Sequence, residues 1–206
     1  MGRRGEICGR KQKRHSIRRS MEAAAKDTEG EMLFYQSKVC EGVFHRISSG
    51  TTRDGLEVFG KMEKGYLLSV DSNWDMYGDG YLSGHYFSEG ALREQLEKAY
   101  PGLVFTEEPV ENQINMYKRD KVGHILFLTV GNKTISGEEF RQLLELPSSN
   151  FTMQAADGKI RFLCKGQGHG LGLSQYGGNV LAKEGKSYKE ILRYYFPECG
   201  VQKKDS

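Results

Sequence analysis

Apolar residues along the chain form short alternating runs broken by polar, glycine-containing turns, with windows of helical spacing between them. EMLFYQ (31–36) and VCEGVFHRIS (39–48) read as two strands joined at Ser37–Lys38, and YLLSVDS (66–72) as another. INMYKRD (114–120) and HILFLTVG (124–131) predict a hairpin turning near Asp120–Gly123, and FTMQAAD and KIRFLCKG a second one over 151–166. Helical windows open on capping residues. Ser16 is expected to cap a helix through about Thr28, with Ile17, Met21, Ala24 and Ala25 on one side and Gly30 as the stop. Ser88 opens a second, with Leu92, Leu96 and Tyr100 at helical spacing and Pro101 closing it. Ser136 with Glu139, and Ser187 with Glu190, have the spacing of capping boxes. Ser174 begins a further helix that runs to Lys183 and stops at Gly185. No strand–helix–strand rhythm or internal repeat is visible, so the expected class is α+β, mostly antiparallel hairpins with several short helices.

Composition narrows the chemistry. At 206 residues, 37% hydrophobic and 28% charged, the chain can bury a full core. Residues 1–20 hold eight Lys/Arg against one acidic residue, a surplus of +7; with a whole-chain net charge of +3, the remainder carries −4. The basic character belongs to a tail, 1–15, expected to be disordered. A nucleic-acid partner is not expected, because that surplus is neither spread over a folded face nor interleaved with aromatics. Cys8, Cys40, Cys164 and Cys199 lack zinc-type spacing and read as buried thiols, with one disulfide open if the protein is exported. The five histidines are scattered, and neither a metal site nor a cofactor is expected. No apolar run reaches the ~20 residues of a transmembrane helix, and no signal peptide or membrane segment is recognisable.

The stretch KGQGHGLGLSQYGG departs most from ordinary patterning. Glycine occupies 166, 168, 170 and 172, then 177 and 178. Each glycine costs about 0.5–1 kcal/mol relative to alanine in regular structure, so four at alternate positions need a reason. In an extended chain they leave one face bare while Gln167, His169, Leu171 and Leu173 project from the other. A bare face admits another backbone or a flat ligand, and both readings stand. Nucleotide loops do not fit: no G-x-G-x-x-G can be laid on the run, and a phosphate loop ending at Gly185–Ser187 needs glycine where Val180 stands.

GQGHGLGLSQYGG, followed by SYKEILRYYFPEC, resembles the C-terminal signature of the SpoIID/LytB family of stage II sporulation protein D and amidase enhancers. VFHRISSGTT, YLLSVDSNWD and ISGEEFRQLLELPSSNF resemble further family segments in family order, so the likeness covers about residues 20 to 202. It implies a peptidoglycan protein of the cell envelope, outside the cytoplasm, whose sporulation members resemble lytic transglycosylases. Those enzymes need a carboxylic acid to protonate the departing glycosidic oxygen. In the family that glutamate lies in a Gly-Glu-Met-Pro-like segment upstream. Neither Glu31 nor Glu138 and Glu139 matches its place, and the Cys/His metal site of some sporulation members is not reproduced by Cys8 and His15. The expectation is a domain over 16–206 lacking the N-terminal catalytic segment, as a truncation or a late start would leave it. Two functions follow: a lytic transglycosylase by descent, or a non-catalytic glycan-binding module that aids a separate amidase or sporulation hydrolase.

The candidate binding residues are Gly168, His169, Gly170, Ser174, Gln175, Ser48, Ser49 and Trp74; no catalytic residue is assigned. His169, flanked by glycines, reads either as a contact to sugar hydroxyls or as a tie from the loop to a backbone carbonyl. Ser174 reads first as an N-cap, and Ser48 and Ser49 first as turn residues. Trp74, beside Asp75 in a polar loop, suits either pyranose stacking or core packing. His45 reads as structural and Tyr194–Phe196 as core.

Overall fold

The computed structural model describes residues 18–203. Expectations for the tail, Cys8, the cap at Ser16 and Ile17 lie outside the described residues. The chain divides into two compact units, Met1–Cys40 with Gly200–Ser206, and Glu41–Cys199. In the first, helix α1 spans 18–27 and is exposed along its length. After Gly30 (φ 77°), β1 (Glu31–Tyr35) turns through Gln36 and Ser37 into β2 (Lys38–Val39). Gln36 and Ser37 carry φ of 48° and 62°, so the hairpin closes one residue earlier than the pattern predicts. With β11 (Gly200–Lys203) the order is β11-β1-β2, all antiparallel.

The second unit holds three small sheets and five helices. β4 (Leu82–Phe87), β9 (Lys159–Lys165) and β8 (Phe151–Ala156) form one antiparallel sheet in that order. β5 (Ile114–Arg119), β6 (Ile125–Val130) and β7 (Lys133–Ser136) form another. Both predicted hairpins are therefore present. β3 (Phe44–His45) pairs in parallel with β10 (Leu173–Ser174), joining segments far apart in sequence. The helices are α2 (Gly55–Phe59), α3 (Glu89–Ala99), α4 (Gly137–Leu143), α5 (Gln175–Lys183) and α6 (Tyr188–Tyr195). Ser88, Ser136, Ser174 and Ser187 cap α3, α4, α5 and α6, and both capping boxes form.

Two expectations are corrected. YLLSVDS is not a strand; it is irregular, with one isolated bridge, Thr51 to Asp71. Its apolar residues are consecutive rather than alternating, and Tyr66 and Leu67 are both buried. The facing segment cannot continue a ladder either, because Gly50 (φ 106°) bends it and α2 begins at Gly55. Tyr195 and Phe196 are core, as expected, but Tyr194 is 37% exposed. Of the cysteines expected to be buried, Cys164 is, while Cys40 and Cys199 are half-buried; burial pushes the Cys164 thiol up to about 11.

The main core lies where α3 and α4 meet the two larger sheets. Leu92 and Leu96, four apart on α3, are fully buried, and the inward positions of β9 are Ile160, Phe162 and Cys164. Phe140, Phe151 and Phe162 meet with ring centroids 5.4–5.8 Å apart. Replacing Phe162 by Ala removes the ring common to two of these pairs and leaves a cavity. Urea denaturation is expected to show a loss of about 3–5 kcal/mol; a loss below about 1 kcal/mol would mean the cluster is not central to stability.

Candidate functional site

Gly166–Gly172 is a loop between β9 and β10, not the extended strand its alternation suggests. Gly166, Gly168, Gly170 and Gly172 all lie in the left-handed region, with φ of 78°, 106°, 76° and 68°. A second constraint acts at the same positions. A Cβ would stand 2.8 Å from the Ile47 carbonyl oxygen at Gly166, 2.8 Å from His45 Cβ at Gly168, and 2.9 Å from Arg53 Cδ at Gly170; at Gly172 it would collide with the Val43 carbonyl. Residues 43–53 of the same chain thus fill the face that the glycines leave bare. The main chain is stitched there: Gln167 N–H donates to Ile47 O (2.7 Å), Arg53 N–H to Gly170 O (2.8 Å) and Leu173 N–H to Val43 O (3.0 Å).

Asp75 and Arg53 organise the surroundings. Asp75 is fully buried; one carboxylate oxygen accepts the Ser48 N–H at 2.6 Å and the other the Ser174 hydroxyl at 2.9 Å. Ser174 Oγ also accepts the Gly177 N–H at 3.2 Å, so one hydroxyl caps α5 and binds the carboxylate. Arg53 Nε donates to Asp120 at 2.6 Å, with both side chains almost wholly buried, and its Nη1 donates to the His169 carbonyl at 3.1 Å. The other Asp120 oxygen accepts from Val122 and His124 N–H, which closes the β5–β6 turn.

Three histidines adjoin this loop. His45 Nδ1 donates to the Leu171 carbonyl at 3.0 Å, and His124 Nδ1 pairs with Ser149 Oγ at 2.9 Å; both Nε2 atoms are buried and unpartnered. Burial pushes His45 down to about 4 and His124 well below its ordinary value, the latter also opposed by Arg53. His169 is half-buried, its ring centroid 5.9 Å from that of His45. Its Nδ1 accepts the Leu171 N–H at 3.1 Å. Burial lowers its pKa, with Glu138 and the Phe44 carbonyl acting in the opposite sense. No group of three or more His, Cys, Asp or Glu side chains among the described residues is placed to hold a metal ion.

The predicted site residues divide into separate environments. Gly168, His169 and Gly170 gather with Arg53, His45 and His124, and His169 also lines a cleft of about 370 Å³ with Val43, Phe127, Leu171, Lys118 and Glu138. Ser48 and Ser174 are buried on Asp75. Ser49 is half-buried, its Oγ 3.5 Å from the Val122 carbonyl. Trp74 lies against Tyr194 at 5.8 Å, and Gln175 faces a different, polar recess. Arg53, Asp120, His124 and Ser149 were not singled out by sequence; the only signal was polar residues beside turn glycines.

No family model matches the chain. It is 31% identical over 183 residues to stage II sporulation protein D of Bacillus amyloliquefaciens, covering 89% of this chain and 51% of that protein. The same protein of Bacillus subtilis (strain 168) is 28% identical over 184 residues, 89% of this chain and 51% of its own length. The amidase enhancer of Bacillus subtilis (strain 168) is 32% identical over 88 residues, 43% of this chain and 12% of that protein. Over most of its length the chain is similar to the SpoIID/LytB family. It spans about half the length of the sporulation proteins it matches.

In this chain the glycine-rich stretch joins segments 43–53 and 71–75 to α5, and the buried imidazoles beside it are expected to make that junction sensitive to acid. An imidazole with a depressed folded pKa takes up its proton more readily when unfolded. Its contribution to stability is full above its ordinary value of 6.5 and is lost as the pH falls towards 4. Unfolding free energy measured by denaturant is expected to decline between pH 6.5 and 4, and His45→Asn to flatten the decline. An equally steep decline in that variant would assign the dependence elsewhere.

Proposed function

We propose that this chain is a cell-envelope protein that binds the glycan strands of peptidoglycan, holding them rather than cutting them. Similarity to the SpoIID/LytB family supports the setting, and the likeness to an amidase enhancer over 88 residues supports action beside a separate wall hydrolase. The observation that carries the reading is the cleft beside the glycine loop. Its lining is apolar at Val43, Ile125, Phe127 and Leu171 and polar at Lys118, Ser136, Glu57, Glu138 and His169. A pyranose has the same division, with C–H faces and N-acetyl methyls that seek apolar surface and hydroxyls that seek hydrogen bonds.

The carboxylates lining the cleft favour holding over cutting. A general acid must present a protonated oxygen to the departing glycosidic oxygen. Glu138 Oε1 is taken by Arg141 Nε (2.8 Å) and Nη2 (2.6 Å), while its Oε2 is sealed from solvent. Glu57 accepts the Lys121 N–H at 3.3 Å. A place outside the cytoplasm belongs to this same proposal; among the described residues no helix is long and apolar enough to cross a membrane.

Co-sedimentation with insoluble peptidoglycan tests the reading. The chain should be retained, and Phe127→Ser combined with Lys118→Ala should reduce retention about tenfold, the loss of one stacking contact and one hydrogen bond. The melting temperature should change little, since Phe127 is 42% exposed. No retention, or retention indifferent to these changes, would sink the proposal. Mass spectrometry of digests should show no 1,6-anhydro-muropeptides above a buffer control; their release would restore the cutting function.

A further inference from the structure

A second recess, of about 460 Å³, shares no lining residue with the cleft beside His169. Its size falls within the roughly 300–1,000 Å³ typical of small-ligand sites. It is built where the 3-10 turn Asn73–Tyr77 and the loop after it meet residues 46–47 and the first turns of α5. Tyr176 N–H donates to the Arg46 carbonyl at 3.1 Å, and Gln167 Nε2 to the Gly80 carbonyl at 3.0 Å. Gly78 packs so closely that a Cβ would lie 3.1 Å from both Ile47 and Tyr176. The walls are therefore fixed by hydrogen bonds to main-chain carbonyls and by close packing at Gly78.

The side chains aimed into the recess are not committed to the protein. Gln175 and Asn179 stand four apart on the exposed side of α5. Arg46 and Asp79 are exposed opposite them, and Tyr77 is 81% exposed. Among the described residues none of these five side chains has a hydrogen bond, ion pair or ring contact. The serines and Asp75 nearby spend their polar atoms internally, so the contrast is local.

We infer that this recess is a sugar-binding subsite for one N-acetylhexosamine of a glycan strand. Tyr77 supplies an aromatic plate for the C–H face of the ring. Asp79, Gln175 and Asn179 are planar groups, each able to span two neighbouring hydroxyls or an acetamide. Arg46 supplies a two-pronged donor for a carboxylate substituent, as on a muramyl unit. The choice of sugar rests on the peptidoglycan reading above; the site itself rests on the recess.

Calorimetry of the full chain with a soluble tetramer of N-acetylglucosamine, and with an N-acetylglucosaminyl–N-acetylmuramic acid disaccharide, tests it. Both should bind. Tyr77→Ala should weaken both about tenfold, and Asn179→Ala should weaken both as well. Arg46→Ala should weaken only the muramyl ligand, by about tenfold. Binding of neither sugar, or affinities unmoved by Tyr77→Ala and Asn179→Ala, overturns the subsite; equal loss for both sugars in Arg46→Ala overturns the carboxylate assignment. Retention on insoluble peptidoglycan that depends on Phe127 but not on Tyr77 would defeat this subsite alone. Sugar binding that depends on Tyr77, without such retention, would defeat the proposed function alone.

Discussion

The buried carboxylate of Asp75 sets the terms for the rest of the site. A charged group with no exposed surface is tolerable only if hydrogen bonds replace its water. Here they come from the Ser48 amide and the Ser174 hydroxyl, 27 and 99 residues from Asp75 along the chain. Tyr195 and Ser72 pair at 2.9 Å in the same region, and Gly177 is bare because a Cβ would collide with the Tyr195 hydroxyl. Shifting any one of these groups would strand another, so the network holds its members in a single arrangement.

Arg53 and Asp120 do for the cleft what Asp75 does for α5. Their ion pair binds the turn of the β5–β6 hairpin to the carbonyl of His169, which fixes the glycine loop from the other side. A buried pair of this kind is weak evidence for stability but holds a register well, since breaking it leaves an uncompensated charge. The polar atoms of Asp75, Asp120 and Ser174 are thus committed inside, and the unspent side chains of the second recess stand on a surface open to solvent. That division locates binding more firmly than the glycine pattern does.

Local chemistry was legible in the sequence, and long-range chemistry was not. Ser136 with Glu139 and Ser187 with Glu190 were readable because a capping box is complete within four residues. The β8–β9 hairpin was readable because alternation and turn lie side by side. YLLSVDS misled because Tyr66 and Leu67 are buried without being paired in a ladder. Ser174 as a cap was visible; Ser174 as a ligand of Asp75 was not, because its partner lies 99 residues away. Asp120 and His124 were legible only as the edges of a turn, because their partners Arg53 and Ser149 lie 67 and 25 residues away. The glycines pointed to a close approach, but only geometry shows that residues 43–53 make it.

The parallel pairing of β3 with β10 has a consequence for how the molecule assembles. His45 and Leu171, which it brings together, are 126 residues apart. Closing so long a loop carries a large entropic cost that local contacts do not repay. The helix-and-sheet core between them is built from nearer neighbours and has its contacts available sooner. On a ribosome, Arg53 emerges 116 residues before the His169 carbonyl that it binds, and Asp75 emerges 99 residues before the Ser174 hydroxyl. Synthesis halted before Gly166 would leave a polypeptide with most of its core and none of its signature junction.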